Sequence, residues 1–468
     1  MNWPPKPSRK GSPNARTPAD AAPRAADARP SAAGGRPAAK RLRATPPTTA
    51  QSGSDKAGLA FAGHELARAS LDACVKCTIC ETQCPVMAVT PLFSGPKYAG
   101  PQGERFRHGE SVDGSLDYCS SCGTCTLVCP QGVKIAELNA QARAVMKSGH
   151  MPLRDRLVSQ TVLMGKVMTP LAGLANGALA NPLARLALEK AVGVHRDAPL
   201  PTAQPQSFAQ WWKQRGGSKP GPQGRIVFFH GCAGGYFEVE TSKRAVEVLE
   251  RVGYEVVVPK QGCCGLAQQS NGLFDQAAKS VLKLCDALLS TGRTPGSAKG
   301  LTIVSASGSC TGMLKREARE ILGVTDDRLA DVSVRVRDIM EFLLDLHEAG
   351  RLPLDFQPLE MTVPYHAPCQ LKGQGMGMPA LEVLRLIPGL TVVESGRACC
   401  GMAGTYGLKK EKHAIAQAVG KPLFDMVRAT NPDLALCDTE TCRWQLAKSS
   451  GVRTEHPIYL VHKAYGLD

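Results

Sequence analysis

No secretory leader is expected in this 468-residue sequence, because its first residues are rich in Pro, Ala and Arg and hold no apolar segment followed by a small-residue cleavage site. Its eighteen cysteines are therefore not read as the disulfide framework of a short exported protein. Reduced thiols in a cytoplasmic or cytoplasm-facing protein fit better. An unbroken apolar run of membrane-span length is also missing. The uncharged stretch between Lys166 and Arg185 comes near that length, but Pro170, Gly173, Asn176, Gly177, Asn181 and Pro182 interrupt it and argue against a spanning helix. No G-x-G-x-x-G stands beside a strand-like run and no other phosphate cradle is visible, so a flavin or nucleotide site is not expected here. Nor does any DNA- or RNA-reading motif accompany the formal net charge of +15. Lys and Arg outnumber Asp by eleven to three in the first sixty residues, so over half of the excess sits there and no nucleic acid partner is expected. Residues 1–63, with Trp3 as the sole aromatic before Phe61, cannot bury enough apolar surface to offset the cost of ordering. They read as a disordered basic tail.

What the chain does have is cysteine at telling intervals. Cys74, Cys77, Cys80 and Cys84 precede Pro85, and Cys119, Cys122, Cys125 and Cys129 precede Pro130, giving two copies of C-x-x-C-x-x-C-x-x-x-C-P. A thiolate at every third residue lets one tight loop take three corners of an iron–sulfur cube, while the fourth Cys, held by its Pro, crosses to the other cube. Two [4Fe–4S] clusters are expected, one on Cys74, Cys77, Cys80 and Cys129, the other on Cys119, Cys122, Cys125 and Cys84. Structural zinc is the plainer alternative, but it uses paired C-x-x-C units and four ligands, which leaves the extra thiols without a purpose. Residues 64–150 thus read as an α-helical, ferredoxin-like two-cluster module. Its linker 94–101 is turn-rich, and the stripe Ile135, Leu138, Ala142, Val145 and Met146 predicts a helix beside the clusters.

Residues 151–217 carry an apolar series that includes Leu157, Leu163, Val167, Leu171, Leu174 and Leu183, interspersed with Arg154, Arg156, Lys166, Arg185 and Lys190. Two readings stay open: a helical pair lying on a membrane surface, or a helical linker packed on its own protein. Beyond it the chain repeats with a period of about 135 residues. In 225–350, Cys232, Cys263-Cys264-Gly265 and Cys310 each follow a short apolar run; in 358–468, Cys369, Cys399-Cys400-Gly401 and Cys442 do the same. Helical runs at 245–249, 277–289 and 414–419 alternate with these strands, which predicts two α/β domains with parallel pairing. Chemistry in such sheets sits in loops beyond the strand C-termini, where these cysteines fall. Adjacent thiols can reach neighbouring irons of one cluster, and a disulfide between them is disfavoured by ring strain. Cys285, on an apolar face with Leu282, Leu288 and Leu289, reads as core.

These features resemble one group of proteins. Cys-Cys-Gly repeats behind a double cluster module are similar to the iron–sulfur subunits grouped with heterodisulfide reductase, glycolate oxidase and anaerobic glycerol-3-phosphate dehydrogenase. Cys77-Thr78-Ile79-Cys80, Gly95-Pro96-Lys97, Gly103-Glu104-Arg105, Leu163-Met164-Gly165, Phe228-Phe229-His230-Gly231-Cys232 and the run from Cys399 through Gly407 resemble the C subunits of the last, over nearly everything after the tail. The resemblance implies a subunit without catalytic residues of its own. It would pass electrons from flavoprotein dehydrogenase subunits to a menaquinone or ubiquinone pool, as a peripheral protein at the cytoplasmic face of the inner membrane. It also implies further iron–sulfur on Cys232, Cys263, Cys264 and Cys310, and on Cys369, Cys399, Cys400 and Cys442. Ser307 and Thr439 stand where a complete family repeat has its penultimate thiol, leaving four ligands per repeat rather than five. Cys437 could substitute by a local shift of its loop. Two alternatives are an iron–sulfur subunit of a glycolate- or lactate-oxidising complex and a heterodisulfide-reductase-like disulfide reductase, the latter weakened by the absent fifth thiol.

Overall fold

A computed structural model of the chain describes residues 67–104, 113–291 and 300–468, and the tail reading for 1–63 lies outside them. In the N-terminal module the two thiol triplets follow the same path. Lys76 and Thr78 flank the middle cysteine of the first with φ of 58° and 67°, and Ser121 and Gly123 flank that of the second with φ of 52° and 81°. A left-handed L-residue costs about 1–2 kcal/mol, so three non-glycine examples at matching positions are held there by the surrounding structure. One-turn helices Ile79–Thr82 and Thr124–Leu127 follow directly. The predicted helix runs Ile135–Lys147; Ile135, Leu138 and Ala142 are buried, whereas Val145 faces outward. The linker 94–101 departs from its turn reading. Tyr98–Gln102 is wound into a π-helical turn, and Gly100 lies so close to Ile135 and Asn139 that a Cβ would meet both at 3.1 Å. Packing against the long helix overrides the Pro/Gly signal there.

Residues 151–217 hold four short helices, Leu153–Val158, Thr161–Met168, Ala172–Ala180 and Pro182–Val192, rather than a pair; after a strap of extended chain comes Phe208–Arg215. The breaks have local causes. Asn181 accepts the Leu183 and Ala184 N–H groups at 2.8 and 3.2 Å to cap the fourth helix, and Gly193, with φ of 83°, ends it. Among the described residues no single helix is long and apolar enough to cross a membrane; Thr161–Met168 and Ala172–Ala180 reach that length only together, across a 107° bend.

The rest is two four-stranded parallel sheets. The first takes β1 (Arg225–Phe228), β2 (Glu255–Val257), β3 (Ile303–Ser305) and β4 (Val336–Asp338) in the order β2-β1-β3-β4. The second takes β5 (Met361–His366), β6 (Leu390–Glu394), β7 (Ala435–Cys437) and β8 (Thr454–Glu455) in the matching order β6-β5-β7-β8. Ile226 pairs with Val256 in one sheet and Val363 with Val392 in the other. The strands β4 and β8 are too short to show a period-two pattern in the sequence. The two halves pack reciprocally: helix Val239–Arg251 lies on Ile458–Ala464, and Ile339–Glu348 lies on Pro379–Leu384. Ile226, Phe228 and Val256 of the first half and Val363, Tyr365 and Leu436 of the second share one continuous core. Each such side chain, fully withdrawn from water, contributes roughly 1.5–3 kcal/mol.

A charged seam ties module, short helices and second half together. Asp155, wholly buried, meets Lys409 at 2.8 Å, Lys147 at 3.2 Å and Arg154 at 3.0 Å, while Asp117 takes Lys147 at 3.0 Å and Lys412 at 2.8 Å. Burial would raise the Asp155 carboxyl, but the cations outweigh it and hold it at about 2. Burial lowers the lysines, Lys409 to about 7 and Lys412 to about 8.

Candidate metal centres

Cys74, Cys77, Cys80 and Cys129 border one small opening in the module, beside Lys97 and Ile135. Cys84, Cys119, Cys122 and Cys125 are electrostatic neighbours of one another. The fourth thiol of each run therefore leaves its own triplet and joins the other. The first set lies nearer solvent, with Cys77 exposed and Cys74 and Cys129 half-buried, whereas Cys84, Cys119 and Cys125 are all buried. Burial pushes the Cys80 thiol up to about 11 and Cys84 to about 12. At neutral pH such groups stay protonated unless a metal displaces the proton. The left-handed Ser121 turns its amide toward sulfur, and its N–H donates to Cys119 Sγ at 3.4 Å.

In the repeats the structure shows why the motif is Cys-Cys-Gly. Gly265 and Gly401 both have φ of 85°, and their N–H groups donate back to Cys263 Sγ at 3.3 Å and Cys399 Sγ at 3.2 Å. A Cβ would stand 2.8 Å from the Ala277 carbonyl oxygen in the first case and 1.9 Å from that of Ala416 in the second. Only glycine fits. Hydrogen bonds from Cys232 and Cys264, with the Gly265 amide, hold Cys263 well below the ordinary thiol range, and Cys369, Cys400 and the Gly401 amide do the same for Cys399. Each pair thus offers one thiolate-prone sulfur, the form that binds metal.

The two halves open onto one cavity of about 180 Å³, bordered by all eight repeat thiols, Cys232, Cys263, Cys264, Cys310, Cys369, Cys399, Cys400 and Cys442, and by Cys122 of the module. Cys232 and Cys263 lie 3.9 Å apart, Cys400 and Cys442 3.0 Å. Cys122 is an electrostatic neighbour of Cys399 and Cys369, so the inner thiol set of the module abuts the second repeat directly. Nothing in the sequence spacing indicated that meeting. Among the described residues, no three His, Cys, Asp or Glu side chains converge tightly enough for a single metal ion. Sulfurs spread around a void suit separate corners of a multi-iron cluster, and an all-thiol donor set is the chemistry such clusters take.

Ser307 and Thr439 occupy matching positions at the ends of β3 and β7. The Ser307 hydroxyl accepts the Cys310 N–H at 3.4 Å and lies 3.1 Å from the Glu440 carboxylate of the other repeat, while Thr439 Oγ1 is buried without a partner among the described residues. Burial raises the Glu440 carboxyl. Cys437 is buried beside Cys442 but does not border the cavity. Cys285 sits in the core of the first repeat, its thiol pushed up to about 12 by burial. Sequence reasoning also passed over Glu238, which receives Arg443 at 2.9 Å and the Trp444 indole N–H at 2.5 Å.

Comparison with known proteins adds to this geometry. Residues 70–133 match the family described as a 4Fe-4S dicluster domain, and residues 226–315 and 363–447 match that described as a cysteine-rich domain. The protein therefore carries multiple iron–sulfur clusters, two of them [4Fe–4S] in the N-terminal module, in a mixed α/β fold. The chain is 38% identical to the C subunit of the anaerobic glycerol-3-phosphate dehydrogenase of Escherichia coli K12 over 399 residues, 84% of this chain and 98% of that one. It is 28% identical to the D subunit of the dihydromethanophenazine:CoB–CoM heterodisulfide reductase of Methanosarcina barkeri, over 52% of this chain and 59% of the relative. To the lactate utilization protein A of Oceanobacillus iheyensis it is 29% identical, over 40% of this chain and 73% of the relative.

Proposed function

Because this chain belongs to the family of anaerobic glycerol-3-phosphate dehydrogenase C subunits, we propose that it is the iron–sulfur electron-transfer component of such an enzyme. In this reading it takes electrons from flavoprotein subunits that oxidise glycerol 3-phosphate and delivers them to a menaquinone or ubiquinone pool. One observation supports this most directly: thiols run without interruption from exposed Cys77, through the buried set around Cys119, to the cavity where Cys122 meets Cys369 and Cys399. Cys74, Cys77, Cys80 and Cys129 would hold one cubane and Cys84, Cys119, Cys122 and Cys125 the other. Cys232, Cys263, Cys264 and Cys310, and Cys369, Cys399, Cys400 and Cys442, would hold the repeat centres. Bound iron–sulfur clusters take up and release single electrons. The chain's own part is to bury them, donate amides to their sulfurs and exclude water.

Attachment to the membrane surface is part of the proposal. Leu153, Leu157, Leu163, Val167, Leu171, Leu174 and Leu183 are all exposed on the short helices, with Arg156, Lys166 and Lys190 exposed among them. Apolar side chains beside cations suit a helix lying in the interface of an anionic leaflet, here the cytoplasmic face of the inner membrane. Similarity to lactate utilization protein A keeps a lactate- or glycolate-oxidising complex as the second reading, over a smaller share of the chain. Direct disulfide reduction is disfavoured by Ser307 and Thr439. The test is deletion of this chain in a strain without a parallel pathway. Glycerol 3-phosphate oxidation with an artificial dye should persist while quinone reduction is lost; retained quinone reduction would refute the proposal.

A further inference from the structure

Outside the thiol-lined cavity lies a larger open groove of about 890 Å³, within the roughly 300–1,000 Å³ span of small-molecule sites. One side is built by Leu179, Ala180 and Pro182, from the same short helices whose other faces expose Leu171, Leu174 and Leu183. The groove thus starts at the apolar surface assigned above to lipid. Its inner end is a partition of Pro199, Leu200, Pro201, Phe237 and Trp444, and these five residues border the thiol cavity as well. One layer of side chains separates the two spaces.

The partition is fixed from several directions. Asn176 and Ala203 exchange two hydrogen bonds of 2.9 Å, and Arg185 donates to the Arg196 carbonyl at 2.6 Å and to that of Ala198. Trp444 is held by Glu238 at 2.5 Å and meets Phe237 edge-on, ring centroids 6.4 Å apart. The result is a stiff aromatic and proline wall, thiols behind it, helices with exposed apolar side chains at the far end, and Arg244 and Lys448 bordering the groove along with the carboxylates of Glu240 and Glu455.

We propose that this groove is the quinone site: the ring stacks against the Trp444–Phe237 wall, its carbonyls facing Arg244 and Lys448, and its isoprenoid tail leaves past Leu179 and Pro182 to the membrane. This rests on the quinone-linked reading above and adds where that acceptor sits. The quinone takes two electrons, delivered singly from the iron–sulfur centres and supplied by the flavoprotein's substrate, and two protons from water in the open groove. Both carbonyls become hydroxyls. An aromatic wall suits a planar ring, and the single side-chain layer suits electron passage without contact between quinone and thiols.

The test uses the complex of this chain with its flavoprotein subunits and two probes, decylubiquinone and a photoreactive azidoquinone. Ala180→Trp and Ala447→Trp fill the groove from opposite sides, and Ala178→Trp, on the same helix but outside it, is the control. The filled variants should raise the KM for decylubiquinone at least tenfold and lose azidoquinone labelling of peptides within 176–204 and 444–455, with iron content and membrane recovery unchanged. Ala178→Trp should keep both quinone readouts. Labelling elsewhere, or an unchanged KM in both filled variants of a quinone-reducing complex, would overturn the groove alone. A wild-type complex that reduces dye but never quinone would overturn the groove together with the quinone-linked reading.

Discussion

Gly401→Ala tests how tightly the Cys-Cys-Gly turn is built. The added Cβ forces an L-residue to hold φ of 85°, at about 1–2 kcal/mol. It also falls 1.9 Å from the Ala416 carbonyl oxygen. Neither atom belongs to a flexible side chain, so the turn must lift or the first turns of helix His413–Ala429 must shift, at the further cost of about one helical hydrogen bond, roughly 1 kcal/mol. A destabilisation of about 2–3 kcal/mol follows, centred where the residue-401 amide donates to Cys399 Sγ. Gly265→Ala, whose Cβ would meet Ala277 O at 2.8 Å, should cost less. Gly451→Ala isolates the conformational part, since φ there is 77° and nothing lies within 4 Å of a Cβ. Anaerobic thermal unfolding should rank the losses Gly401, then Gly265, then Gly451. Iron counting with redox-poised electron paramagnetic resonance should show the second-repeat signal lost in Gly401→Ala while the two cubane signals of the module persist. Equal melting shifts for Gly401→Ala and Gly451→Ala, with full iron in both, would refute the steric reasoning.

Cys129→Ser and Cys84→Ser should each remove a different cubane, Cys129→Ser the one built on the Cys74 triplet; loss of the same signal in both variants would contradict the crossed arrangement. Leu163→Asp, Leu171→Asp and Leu174→Asp combined should release the protein from anionic vesicles in a flotation assay without loss of iron. Asp155→Asn leaves Lys409 and Lys147 facing a neutral amide and should cost about 3–5 kcal/mol in anaerobic denaturation. The same seam sets two pH windows. Asp155 is near 2 folded against about 3.9 unfolded, so its contribution is present above about 4 and is lost as pH falls towards 2. Lys409 is near 7 folded against about 10.4 unfolded, so the unfolded chain binds more protons in between and stability should rise with pH across that window; Lys409→Met should flatten that rise. Cys285→Ala should leave the iron content at the wild-type level.

The thiol sets of the module were legible because their spacing is local: three ligands within seven residues leave few ways to wrap a cluster. The strand-then-cysteine pattern was legible for the same reason, since β1 and β5 are apolar runs next to Cys232 and Cys369. What the sequence concealed depends on distant packing. Cys122 meets Cys399 because the module docks on the second half, through Asp117 with Lys412 and Tyr406 with the Tyr118 carbonyl, and helical periodicity shows that a face is apolar without showing its partner. Ser307 read as a missing thiol, yet its hydroxyl bridges to Glu440 of the other repeat, 133 residues away. The linker 94–101 misled in the opposite sense, because its Pro and Gly signal a turn while Gly100 serves close packing on Ile135 and Asn139.

The seam between Asp117 and Lys412 joins residues 295 positions apart, and this separation sets a timetable during synthesis. At roughly 5–20 residues per second, Lys412 follows Asp117 out of the ribosome after about 15–60 s. Until then Tyr406, whose hydroxyl donates to the Tyr118 carbonyl at 3.0 Å, has not yet covered the chain next to Cys119. Burial of Cys119 beneath Tyr406, Ile415 and Ala416 is therefore one of the last contacts the chain can make, and it waits on the synthesis of nearly the whole second half.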